Sequence, residues 1–158
     1  MIFLNDIGSI ALSTDKESYS KKPDSWDIKA IFYASILFGI MVIFEVSILA
    51  YFGLFYFHLN HASFETFLFV AFMFSIEALL LSIRSRKRFF HSRPSIPVLL
   101  QIILAITITA IIAYFGVLMS SINPYYILFI GVVAVLFLVI TDYIKVFAYK
   151  KDKEFSLL

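Results

Sequence analysis

The sequence predicts an all-α fold, a polytopic transmembrane helix bundle of four full spans preceded by an N-terminal half-span. Three observations carry this expectation. First, the apolar runs 30–57, 64–83, 96–119 and 125–147 each reach the ~20 residues that a helix needs to cross ~30 Å of hydrocarbon. Second, the 158 residues are 61% hydrophobic and 15% charged, with a mean hydropathy of +0.93. A soluble domain is closer to half apolar and a quarter charged, so here the outer surface is apolar as well as the core. Third, the 13 Lys and Arg fall at one set of helix ends. Lys16, Lys21, Lys22 and Lys29 precede the first run. Arg84, Arg86, Lys87, Arg88 and Arg93 separate the second from the third, and Lys145, Lys150, Lys151 and Lys153 close the fourth. The connections 58–63 and 120–124 carry neither residue type. Positive charge is retained on the cytoplasmic side, so the basic loops and the C-terminus are expected there and the bare loops outside.

Residues 1–13, MIFLNDIGSIALS, are apolar apart from Asn5 and Asp6. At ~1.5 Å per residue they span only ~20 Å as a helix, and they lead directly into a cytoplasmic loop, 14–29. The expectation is a partial transmembrane helix that Met1 enters midway. The alternative is a short amphipathic segment on the inner surface, against which stand Asp6 and the lack of a basic face. In the loop, Pro23 stops the preceding segment, Asp24 caps the next helix with Asp27 as its capping-box partner, and Trp26 anchors at the interface. The span 30–57 is longer than the bilayer core is thick and should tilt. The span 64–83 returns to a basic loop, 84–95, and Pro94 and Pro97 mark the start of 96–119. Residues 120–124 form a tight outer turn. The last span, 125–147, ends near Ala148 and leaves 148–158 as a charged cytoplasmic tail. Small residues four apart predict packing faces at Ser35 with Gly39, Ala71 with Ser75, and Ala105 with Thr109 and Ala113.

The chain has no cysteine, which excludes a disulfide framework and a thiolate metal site. It has no Gly-rich phosphate loop, nucleophile elbow or set of paired His/Cys ligands. No catalytic residue, cofactor, metal or nucleic-acid partner is therefore expected, and the basic clusters read as anchors beside lipid headgroups. His58 and His61 lie one turn apart but lack the further ligands a metal needs.

Ionisable residues at bilayer depth are the candidates for chemistry, since each costs a few kcal/mol unless it has a partner or a purpose. Asp6 is a desolvated carboxyl able to bind and release a proton, with Asn5 beside it to hydrogen-bond the neutral form. The same pair also suits simple helix packing. Glu45, at mid-span, is a second candidate buried carboxylate, bonded to Ser47 or to a neighbouring helix. Glu77 lies about two turns before Arg84, where it can face the bundle interior. Glu65 is expected at an outer helix start, in a favourable dipole. Asp142 and Lys145, three apart, are expected to pair at the cytoplasmic boundary.

Three stretches resemble the C-terminal membrane region of the P-type ATPases, and in particular the proton-pumping plasma-membrane branch. FLNDIGSIALSTDKESYSKKPDSWDIKAIF is similar to the family's sixth membrane helix and the loop after it. SIEALLLSIRSRKRFFHSRPS looks like the end of the eighth helix with its Arg-Ser-Arg and Arg-Pro loop, and TDYIKVF is similar to the end of the tenth. The resemblance covers essentially the whole chain. It implies that 1–13 is the inner part of helix six and that the four full runs are helices seven to ten. By position, Asp6 would match the family's proton-carrying carboxylate, with Asn5 in the same motif, and the later helices would serve mainly as scaffold. ATP and Mg2+ would bind cytoplasmic domains that this sequence does not contain. Two departures stand out. Ile7-Gly8 follows Asp6 where relatives often have Gly or Ile-Pro, and Glu77 replaces a residue that is often neutral and polar.

The leading expectation is a C-terminal transmembrane part of an ATP-driven proton pump, without ATP hydrolysis of its own. Its partners would be the lipid bilayer, the transported proton and the remainder of a split P-type ATPase, in the plasma membrane. The alternative is a stand-alone multi-pass membrane scaffold or binding subunit. A small oligomeric transporter using Glu45 and Glu77 is a third reading, disfavoured by the unpaired half-span.

Overall fold

A computed structural model describes residues 28–84 and 94–155, and side chains within 32–84 and 94–147. The half-span 1–13 with Asn5 and Asp6, the capping residues Asp24 and Asp27, Trp26, and the basic stretch 85–93 lie outside the described residues. Four helices are long and apolar enough to cross a membrane among the described residues. Helix α1 covers Ile28–Tyr51 and runs on into a π-helical turn, Phe52–Tyr56. Helix α2 is His61–Ile83, α3 is Ile96–Phe115 and α4 is Pro124–Phe155. In hydrocarbon every backbone N–H and C=O needs an internal partner, so uninterrupted apolar runs of this length become helices.

Helix α2 is the axis of the bundle. It packs against α1, α3 and α4, and α1 also packs on α4. Half of the most apolar stretch of α2 is buried, against 22%, 33% and 28% in α1, α3 and α4. The other three helices turn their remaining apolar faces outward, with Ile43, Ile103 and Leu128 more than half exposed, as lipid contact requires.

The helix ends depart from the expected bounds for local reasons. Helix α2 starts before Phe64 because Asn60 caps it, its side-chain oxygen accepting from the Ser63 N–H at 2.8 Å. Glu65 consequently falls in the second turn, exposed, where it pairs with His61 at 3.3 Å. Helix α3 stops at Phe115 and does not reach Met119, because Gly116 adopts a left-handed conformation with φ 68° and closes the last turn on the Ile112 carbonyl. Helix α4 continues past Ala148 to Phe155, since Lys150–Glu154 contains no Gly or Pro to end it. Pro97 sits in the first turn of α3, as expected.

Gly116 is hard to replace. A Cβ there would lie 2.9 Å from the Ser121 backbone nitrogen and 3.1 Å from the Met119 carbonyl oxygen. Gly116→Ala should destabilise the chain by roughly 1–3 kcal/mol, read as a lower thermal midpoint in detergent or nanodiscs.

The interior divides along the membrane normal. Towards the bare loops the core is apolar and aromatic, built on Leu49, Phe67, Val70, Phe74 and Ile130. Phe57 is its hub, with ring centroids 4.8 Å from Tyr126 and 5.2 Å from Phe129. The π-helical turn belongs to this region. It brings buried Gly53 so close to α2 that a Cβ would meet the Phe64 ring at 3.1 Å. The Thr66 hydroxyl donates to the Ser120 carbonyl at 2.8 Å and ties α2 to the outer connection. Towards the basic ends, a smaller apolar cluster around Val98 and Ile102 gives way to polar side chains.

Two of the three small-residue faces are packed. Ala71 with Ser75, and Ala105 with Thr109 and Ala113, are buried. Ser35 and Gly39 instead lie on an exposed face of α1, and a Cβ on Gly39 would meet nothing within 4 Å.

Candidate functional site: a buried polar seam

The polar seam begins at mid-membrane and runs to the basic ends of the helices. Glu45, near the midpoint of the apolar span Phe32–Tyr56, is buried. It lines the same cavity as Ser75 of α2, whose hydroxyl donates to the Ala71 carbonyl at 2.9 Å. Ser47 is not its partner: the Ser47 hydroxyl is exposed and donates to Ile43 on its own helix at 2.7 Å. Glu45, Ser75, Ser82 and Thr141 line a small cavity where α1, α2 and α4 meet.

Glu77 lies half a turn beyond Ser75 and is buried, pointing towards α3. There the Gln101 amide nitrogen donates to Glu77 Oε1 at 3.2 Å. The other carboxyl oxygen has no hydrogen-bond partner among the described residues. Interhelical hydrogen bonds in membranes contribute modestly, because the unfolded chain also finds partners there. Gln101→Leu should therefore cost only about 0.6–1.7 kcal/mol, measured by denaturant titration in mixed micelles.

The seam ends at an internal ion pair. Lys145 Nζ lies 2.6 Å from Asp142 Oδ1, with both side chains 2% exposed. The same ammonium donates to the Ser82 carbonyl at 2.8 Å. Ser82 is in the last turn of α2, where unpaired carbonyls carry partial negative charge, so a cation there is doubly favoured. The pair forms at the expected spacing, near the basic ends of the helices, and its side chains are buried within the bundle.

The structure thus places Glu45 and Glu77 inside the bundle on different sides of α2, and does not join them. Asn5 and Asp6 lie outside the described residues. The residues that sequence reasoning missed are the partners: Gln101, Ser75 and Ser82. Gln101 was visible as the one strongly polar side chain in the run 96–119, and that signal alone could have found it.

Four apolar spans around a seam of acids, an amide, hydroxyls and an ion pair define an integral membrane helix bundle, in contact with the lipid bilayer, whose interior carries ionisable groups. Residues 3–147 match the family described as cation transporting ATPase, C-terminus. The match takes in nearly the whole chain, and the protein belongs to that family. No curated protein matches the chain.

Proposed function

We propose that this chain supplies part of the ion path and the supporting helices of a P-type ATPase whose transported cation is the proton. The single observation that carries the reading is the family match over residues 3–147, which includes the Leu4-Asn5-Asp6 motif. Asp6 is the ion-path carboxylate in this reading, and Asn5 holds its protonated form. Helices α1 to α4 are the scaffold, held together by the apolar core at one end and the Lys145–Asp142 pair at the other. ATP hydrolysis belongs to cytoplasmic domains outside this sequence, which would come with the rest of a split pump, so the chain alone is inactive as an ATPase. The basic loops face the cytoplasm, and the membrane is the plasma membrane. The excess of Lys and Arg at one set of helix ends supports that sidedness.

The test is ATP-driven acidification of proteoliposomes holding the pump assembled around this chain. Acidification without any transported metal ion is expected. Pumping that requires a metal cation would reject the proton assignment and keep the family.

A further inference from the structure

We propose that Glu45, Ser82 and the cavity between α1, α2 and α4 form an internal proton-binding site, in which one ordered water joins the carboxyl to the basic end of the bundle. The inference goes beyond the proposed ion path and does not depend on Asp6. Three observations carry it.

The first is the space. The cavity has a volume of about 10 Å³, which is the lower limit for holding a single water. Apolar side chains make up most of its wall, and Glu45, Ser75, Ser82 and Thr141 add the polar groups that a water needs.

The second is the unmet hydrogen bonding. Glu45 Oε1 and Ser82 Oγ are buried and have no partner among the described residues. Glu45 is 4% exposed and Ser82 fully buried, so bulk water does not reach them. A buried polar atom left unpaired is costly, and internal waters are found where several such atoms converge. Both residues line the cavity, where a water can meet them.

The third is the absence of a counter-charge. No basic side chain pairs with Glu45 among the described residues. An ionised carboxyl at mid-membrane costs a few kcal/mol without a paired cation, and a bound proton removes that charge.

The charged groups around the cavity define its occupant. From α4, Asp142 and Lys145 pair with each other, and the Lys145 ammonium sits on the Ser82 carbonyl. From α2, Glu77 turns to Gln101 on α3. A positive ammonium beside Ser82 disfavours a metal cation in the adjoining space and leaves a neutral water as the fitting ligand. In the exchange step, an O–H bond breaks at Glu45 as one forms on the water. The Ser82 hydroxyl, which lines the cavity from the last turn of α2, takes a proton from the water and gives up its own towards the basic end, and the reverse transfer reloads the acid.

Infrared spectroscopy of the full chain in nanodiscs tests this. A protonated-carboxyl C=O band should vanish in Glu45→Gln, which assigns it, and in the unsubstituted chain this band should shift promptly on transfer to D2O. Ser82→Val fills the cavity and removes its hydroxyl, and should slow that shift roughly tenfold because exchange then needs local opening of the bundle. Ala78→Val fills the same space without touching a polar group, and should slow it similarly if Ser82→Val does not fold. A chain with no Glu45-dependent acid band overturns the proposal. So does equal exchange in the unsubstituted and cavity-filled chains.

Discussion

Lys145→Met is expected to destabilise the bundle by about 3–5 kcal/mol, the cost typical of removing one partner from a buried ion pair. Methionine nearly matches the volume of the lysine side chain, so the loss is electrostatic and not a packing defect. In the native chain the ammonium touches Asp142 at 2.6 Å and the Ser82 carbonyl at 2.8 Å, both out of water. Without it, the Asp142 carboxylate loses its close cation and the end of α2 loses the charge that satisfies it. The double variant Lys145→Met/Asp142→Leu should recover most of the loss, since no charge then needs solvation. Denaturant titration in mixed micelles reads both. Equal destabilisation of the single and double variants would show that the charge is not the cause.

Asp6→Asn is expected to abolish cation transport in the assembled pump. Asparagine keeps the shape and hydrogen-bonding capacity of aspartic acid but cannot bind and release a proton at any accessible pH. If Asp6 is the carrier, ATP-driven acidification should fall to the background of empty proteoliposomes. Asp6→Glu should retain a part, because the titrating group survives at a displaced position. Phosphoenzyme formation, measured in parallel, distinguishes a lost carrier from an unfolded pump. Sustained pumping with asparagine at this position rejects the role.

The four spans were legible because lipid imposes a long apolar run on any helix that crosses it, and the polar exceptions stood out against that background. Glu45 and Glu77 could be singled out for this reason. Gln101 stood out in its run for the same reason, but that it meets Glu77 could not be read, because the pairing depends on how α2 and α3 turn about their axes. Apolar helices in lipid carry only a weak sequence signal for that rotation, since both faces are hydrophobic. Ser35 and Gly39 failed for the same reason: small residues four apart permit close approach but do not require it, and α1 turns another face to α2 and α4. Helix ends were misjudged where one residue decides them. Gly116 stops α3 well inside an apolar run, and Asn60 begins α2 before its run starts.

The bond from Lys145 to the Ser82 carbonyl has a consequence for biosynthesis. The chain is made from its N-terminus, so α2 leaves the ribosome before α4. The Ser82 acceptor for the Lys145 ammonium is therefore already in the membrane when the last helix arrives, and that helix need not wait in lipid with the ammonium bonded to Asp142 alone. A rearranged gene that encoded the same helices with α4 first would reverse this order and leave the ammonium without its α2 acceptor until that helix followed.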